Sequence, residues 1–296
     1  MFRALRPLLF SFLLLWLVGP LAGGIPAGDY AGIAGLTGDA LKGRLHDIIQ
    51  GHTQLPYNSS SQTDTRDALK RLEQDPENAA NVLLFHIGRS DPKTQFGQAN
   101  GWDHEPLWPR SDGVADTPAE TDLSNLRVTD RDVNNARASK YFDFSDPAAV
   151  DYRSPAHAEA PGNTSDFDSG EPLDTYKGDV ARSLFCLDVR YEGGGTEPDL
   201  RLTDNRALIT NSGMYLGLLS TLMAWHALDP VDAAKRQRND RICSDFQSNR
   251  SPFIDHPEWV AAVYAPVPEW SGQTAATAAG VMCFAASRTG RSRGGD

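Results

Sequence analysis

The chain has 296 residues, a formal net charge of −11 and three cysteines. That length suits one large domain or two small ones with a sizeable core, and the acidity excludes nucleic-acid binding by bulk electrostatics, so a polyanion needs a local basic patch. Three cysteines (Cys186, Cys243, Cys283) exclude both a disulfide framework and a cysteine-built zinc site.

The N-terminus carries Arg3 and Arg6, then the apolar run from Leu8 to Val18, then the small-residue stretch GPLAGG. These are the three regions of a secretory signal peptide, expected over residues 1–24. The apolar run falls short of the roughly 20 residues a spanning helix needs. No later stretch is apolar enough to span. The mature protein is therefore expected to be secreted or periplasmic, a monomer without stable membrane association.

TGDALKGRLHDIIQGH sets Leu41, Leu45, Ile48 and Ile49 at helical spacing behind Thr37 as N-cap. DTRDALKRLEQDP predicts a second helix, with Ala68, Leu69 and Leu72 on its apolar face and Pro76 as its stop. NVLLFHIG, residues 81–88, is a short run of strand formers closed by glycine. Residues 90–176 are polar, rich in Asp, Pro and Ser, and without long periodic runs. Such a stretch inside a domain is functional or disordered. KGDVARSLFCLDVRYEG, residues 177–193, returns to helix with Val180, Leu184, Leu187 and Tyr191 on one stripe. SGMYLGLLSTLMAWHALD, residues 212–229, is apolar almost all round and predicts a buried central helix. DPVDAAKRQRNDRICSDFQ predicts another, with Asp229 as N-cap and Pro230 at its first position. From residue 265 to 296 the sequence turns to Pro, Ala, Gly and Ser and reads as a tail.

The densest chemistry sits in the irregular middle, in WDHEPLWPRSDG and TDLSNLRVTDRDVNNARASKYF. Glu105 is a hard oxygen ligand beside a rigid Trp-Pro pair, and Asn134 opens a predicted short helix downstream. A carboxylate and an amide oxygen, completed by waters, suit Mg²⁺ or a similar hard divalent cation. Arg127, Arg131 and Arg137 can hold phosphate oxygens.

These stretches resemble the endonuclease I family of bacterial secreted and periplasmic nucleases. The family pattern runs W-N-R-E-H-x-W-P-x-S-x-G, D-L-H-N-L-R, V-N-x-x-R, K-G-D-x-A-R-x-x-F and R-N-x-x-I... Q-G-N-R-N-P-F-I-D. Here those segments read WDHEPLWPRSDG, DLSNLR, VNNAR, YKGDVARSLFCLDVRYEG and RNDRICSDFQSNRSPFIDHPEW, preceded by NVLLFHIGRS. The likeness extends from about Tyr30 to Tyr264. It implies an α+β fold: a mostly helical single domain over residues 29–264 with an embedded ββα-metal (His-Me finger) motif. It also implies a nuclease in which Glu105 and Asn134 bind Mg²⁺.

At the family's general-base histidine this chain has Pro106, which cannot take a proton. His104 occupies the family's arginine position and Ser124 that of the histidine in D-L-H-N. His104 is thus the candidate catalytic base. On a regular strand it shares a face with residue 106, roughly 7 Å along the chain. The family's adjacent Glu and His both address the metal, however, which implies an irregular strand, and Pro106 adds to that expectation by fixing φ. Arg127, Arg137 and Arg250 are candidate substrate-binding residues. His86, His157 and His226 have no motif neighbour and read as structural or exposed. Cys186 and Cys243 read as small buried residues, with a bridge between them left open.

The functional expectation is an exported Mg²⁺-dependent endonuclease cutting DNA with little sequence preference, with RNA left open as a second substrate. The alternative is a catalytically weak or silent nucleic-acid-binding relative that keeps the fold and metal site. A secreted scaffold with neither property fits the retained Glu105 and Asn134 least.

Overall fold

A computed structural model of the protein describes residues 30–210 and 212–265. The expected signal peptide, Cys283 and nearly all of the expected tail lie outside the described residues. Helix α1 (Gly38–Ile49) buries Leu41, Leu45 and Ile49, the stripe that the spacing predicts, although Thr37 makes no side-chain cap bond. Helix α2 (Thr65–Leu72) opens at Asp64, whose carboxylate accepts the Asp67 N–H, and buries Ala68, Leu69 and Leu72. Strand β1 (Asn81–Leu83) pairs antiparallel with β2 (Ser90–Pro92). The strand expected over 81–88 thus ends early. His86 and Gly88 take φ of 73° and 67°, outside β space, and fold the chain back into a turn.

Strands β3 (Trp102–Pro106) and β4 (Leu126–Asp130) form an antiparallel hairpin in register from Trp102↔Asp130 to Pro106↔Leu126. Trp102, Leu126 and Val128 on one face pack with Ala68, Leu69 and Leu72 of α2. Glu105 and Arg127, directly opposite each other, share the other face. Helix α3 (Arg131–Arg137) follows at once, capped by Asp130, which accepts the N–H groups of Asp132 and Val133. Strand, strand and helix thus succeed one another without a break.

The irregular strand expected at Pro106 is not found; β3 pairs regularly through that residue. The Leu107 N–H bonds inward to the Asn125 carbonyl, while the carbonyls of His104 and Pro106 accept from α3 at the outer edge. The nitrogen of residue 106 therefore faces that outer edge, and proline there forfeits no ladder bond.

Strands β5 (Tyr141–Phe142), β6 (Thr164–Ser165) and β7 (Ser169–Glu171) make a small sheet with β7 central. Helix α4 (Asp174–Arg190) is the axis of the main core, buried from Val180 to Arg190. Against it pack α1, α5 (Leu219–Leu228), α7 (Pro252–Asp255) and, through α1 and α7, α8 (Trp259–Tyr264). The central helix expected over 212–229 is therefore shorter and more peripheral than its composition implies. Tyr215 and Leu216 pair with Arg201 and Leu202 as strand, and only Thr221, Leu222 and Trp225 of α5 are buried. Helix α6 (Ala233–Arg241) opens at Asp232, not Asp229, because the Asp229 carboxylate is engaged by the Gly178 N–H and Lys235 Nζ.

Helices and small sheets together make an α+β fold. Among the described residues no helix is long and apolar enough to cross a membrane. Cys186 is buried and Cys243 half-buried, both as free thiols, so the bridge left open between them is not formed.

Candidate active site

Helix α3 lies along the open edge of β3 and fixes the site. Its residues Asn134 and Arg137, one turn apart, face the same way. The Asn134 Nδ2 donates to the His104 carbonyl at 2.9 Å, and the Arg137 Nη2 to the Pro106 carbonyl at 2.8 Å. Two side chains thereby satisfy two carbonyls of a strand edge whose Trp102 carbonyl is taken by the Gly97 N–H. The loop after β3 is pinned as well. Asn125 accepts from the Trp108 N–H through Oδ1 and donates back to its carbonyl, and Trp108 Nε1 donates to the Asp112 carbonyl.

Glu105 points to the inner face of the hairpin and is fully buried. Its Oε1 lies 2.6 Å from Arg137 Nε and 3.3 Å from His86 Nε2. Burial alone pushes this carboxyl up, but Arg137 and His86 outweigh it and hold it below the usual carboxylate range. Among the described residues its Oε2 has no hydrogen-bond partner. A buried carboxylate oxygen left unpaired is costly, and a cation is one way to satisfy it. Asn134 commits its amide nitrogen to the strand, and no protein donor reaches its oxygen among the described residues. One free carboxylate oxygen and one free amide oxygen are a donor set that fits a largely hydrated hard cation.

His104 and Pro106 alternate with Glu105 and face the other side of the strand. They line a shallow groove of about 450 Å³ with Tyr57, Arg110, Asn134 and Arg137. The His104 ring is buried, 4.5 Å from the Tyr57 ring and 5.1 Å from that of Phe96. Hydrogen bonding decides its tautomer. Thr65 Oγ1 donates to the Tyr57 carbonyl at 2.8 Å, so at 3.0 Å from His104 Nε2 it must accept, and Nε2 carries the hydrogen. The nitrogen left to accept a proton is Nδ1, 3.5 Å from Asp103 Oδ1. Burial raises the Asp103 carboxyl, yet its contacts with the His104 side chain and with the His104 backbone N–H, which donates to Oδ1 at 2.8 Å, bring it below its ordinary value.

The remaining arginines divide. Arg137 has an Nη1 without a hydrogen-bond partner among the described residues. Arg110 reaches the groove, stacks over Tyr57 and pairs with Glu120. Arg127 instead turns away to Glu73 and Ser183, in a second cleft of about 360 Å³ that Arg182, Lys235 and Arg238 share with Glu73 and Asp179. Burial and the neighbouring Arg127 pull Arg238 down to about 10. Arg250 is bound to Asp240 and Asp255 and does not line the groove. Of the three arginines expected to meet substrate, the structure brings only Arg137 to the groove.

The sequence profile of endonuclease I matches residues 37–258. The chain belongs to the endonuclease I family. It is also 42% identical over 238 residues to an extracellular ribonuclease of Bacillus amyloliquefaciens and, to the same extent, to one of Bacillus subtilis (strain 168). Each alignment covers 79% of this chain and 77% of the relative. Membership makes the chain a nuclease, an enzyme that hydrolyses phosphodiester bonds. Sequence reasoning missed three groups in this endonuclease I site. His86 stands beside Glu105, Thr65 sets the tautomer of His104, and Arg110 lines the groove. Arg110 lay inside the quoted motif. The other two come from segments whose folding back no local pattern announces.

Proposed function

We propose that this nuclease is an exported, Mg²⁺-dependent endonuclease that cleaves DNA and RNA with little sequence preference. The observation that carries the proposal is a buried carboxylate, Glu105, with one oxygen unpartnered among the described residues, linked through Arg137 to a groove that Asn134 and His104 line. Glu105 through Oε2 and Asn134 through Oδ1 would hold the cation. When bound, it supplies Lewis-acid stabilisation of charge on the attacked phosphate and the leaving oxygen. Arg137, through its unpartnered Nη1, and Arg110 orient the phosphate. His104 takes the proton of the attacking water at Nδ1, and Asp103 stabilises the resulting imidazolium.

None of these roles needs a 2′-hydroxyl, so both nucleic acids are substrates. The ribonuclease names of the two Bacillus relatives support the RNA arm, and their extracellular description supports export, together with the expected signal peptide. A second reading, a weak or silent nucleic-acid-binding relative, is favoured by Pro106 in the groove and by the His104 ring being wedged between Tyr57 and Phe96. Incubating the purified secreted protein with plasmid and with RNA, in Mg²⁺ and in EDTA, separates the two. Cleavage that EDTA abolishes supports the enzyme; retarded but intact nucleic acid in a gel shift supports the silent relative.

A further inference from the structure

We infer that His86 is the positioning residue for Glu105, holding the carboxylate so that Oε2 is the oxygen offered to the cation. The inference rests on the metal reading of Glu105 and adds a residue to which no motif points. His86 Nε2 and Arg137 Nε approach the same oxygen, Oε1, at 3.3 and 2.6 Å, and among the described residues no hydrogen-bond partner reaches the buried Oε2. A carboxylate gripped at one oxygen by two groups from different elements keeps its free oxygen pointing one way. A carboxylate only accepts, so Nε2 carries the hydrogen of this contact.

The local backbone is unusual in the way such a role requires. His86 takes φ of 73°, a left-handed conformation that residues with a Cβ rarely adopt and that persists only where the surroundings enforce it. Here they do. The Phe85 N–H donates to the Val128 carbonyl, Thr129 Oγ1 donates to the Phe85 carbonyl, and the Ile87 and Gly88 N–H groups return to the Leu84 carbonyl. Two of these bonds tie the turn to β4, the partner of the strand bearing Glu105, so His86 and Glu105 belong to one rigid unit.

The ring is 4% exposed and lies against Phe85 and Tyr176. An apolar side chain would fill that space without desolvating two ring nitrogens, one of which, Nδ1, has no hydrogen-bond partner. Histidine is among the residues that tolerate a positive φ, so the backbone admits it, but packing against Phe85 and Tyr176 does not call for an imidazole. The contact to Glu105 does. Partners that orient metal-ligating carboxylates are worth about 10- to 100-fold in metal affinity.

The test is calorimetric titration of the purified secreted protein with Mn²⁺, alongside thermal melting. His86→Asn tolerates the left-handed backbone but carries its donor at the Nδ1 position, too short for Oε1. His86→Gln places an amide donor near the Nε2 position. The role predicts at least about tenfold weaker Mn²⁺ binding in His86→Asn, near-native binding in His86→Gln, and folded protein in both. Native affinity in His86→Asn overturns it, as does a His86→Gln variant as weak as His86→Asn. Should His86→Asn fail to fold, His86→Met, which has volume but no donor, replaces it, and an affinity equal to that of His86→Gln overturns the role. Glu105→Ala separates the layers. Unchanged binding there overturns the metal reading and the positioning role with it. Loss in Glu105→Ala without loss in His86→Asn overturns the role of His86 alone.

Discussion

Replacing Pro106 by histidine restores a proton acceptor at the position where the family pattern has one, and the structure sets the expected size of the effect. The residue 106 nitrogen faces the outer edge, and the Leu107 N–H already bonds to the Asn125 carbonyl. No ladder bond changes, so Pro106→His should alter stability by less than about 1 kcal/mol, the scale of a surface substitution. The new side chain enters the groove beside Asn134 and Arg137. His104 lies roughly 7 Å back along the strand, so as a base it works from a displaced place. A positioned general base is worth about 10² to 10⁴ in rate, or about 3 to 5 kcal/mol of barrier. Initial rates of supercoiled-plasmid nicking at saturating Mg²⁺ should therefore rise by at least about 10² in Pro106→His. His104→Gln provides the counter-test, since it keeps an N–H toward Thr65 but accepts no proton. It should abolish wild-type cleavage and leave Pro106→His nearly unaffected. Two results would refute the reasoning. One is a robust wild-type rate untouched by His104→Gln, which means that another group takes the proton. The other is a folded, metal-binding Pro106→His variant with no gain.

Three further outcomes are expected. Glu105→Ala and Asn134→Ala should each weaken Mn²⁺ binding in calorimetry, because neither oxygen alone holds a mostly hydrated cation; unchanged affinity in either removes that ligand from the site. Nucleic-acid affinity in Ca²⁺ should fall steeply with salt, and Arg110→Ala should reduce the slope of log K against log salt by about 1; a flat wild-type dependence argues against phosphate contacts. Asp122 is fully buried, paired with Arg190 and bonded by Tyr191 and the Ser124 N–H. Burial opposes its charge, but Arg190 leads the contacts that bring it down to about 2. A lowered folded-state value means stability that is present above pH about 4, where the unfolded carboxyl is ionised, and lost as pH falls toward 2; its size is about 2 kcal/mol. Melts of wild type and Asp122→Asn should accordingly converge between pH 4 and 2, and a gap independent of pH contradicts the assignment.

Much of the fold was legible because it is local. The apolar spacing of α1 and the apolar face of α2 ahead of Pro76 act within one segment, and the structure follows both. Where sequence and structure part, a distant partner intervenes. Residues 212–229 are apolar without a face, so periodicity could not separate a strand from a helix. The backbone of Arg201 and Leu202 decides it by pairing with Tyr215 and Leu216. Likewise Asp229 has the chemistry of a cap and the right neighbour in Pro230, but the start of α4 and Lys235 claim its carboxylate.

The same division runs through the site. Arg137 meets Glu105, and Asn134 and Arg137 meet the edge of the strand bearing it, because hairpin and helix are contiguous in the chain, so their motif spacing carries the geometry. Arg127 and Arg250 do not join them, since each is captured by carboxylates from other elements: Glu73 for the first, Asp240 and Asp255 for the second. No spacing rule reports such capture. The regularity of β3 has a further consequence. Its alternation puts Glu105 on one face and residues 104 and 106 on the other, with the helix at the edge reaching both. Glu105 therefore lies on the face opposite His104 and Pro106, while Asn134 and Arg137 of the edge helix line the groove. A substitution at 106 changes the groove without moving the carboxylate, because the outward nitrogen keeps proline from bending the strand. A residue other than histidine at 106 is thus compatible with the fold and with the placement of Glu105 and Asn134, the combination this sequence presents.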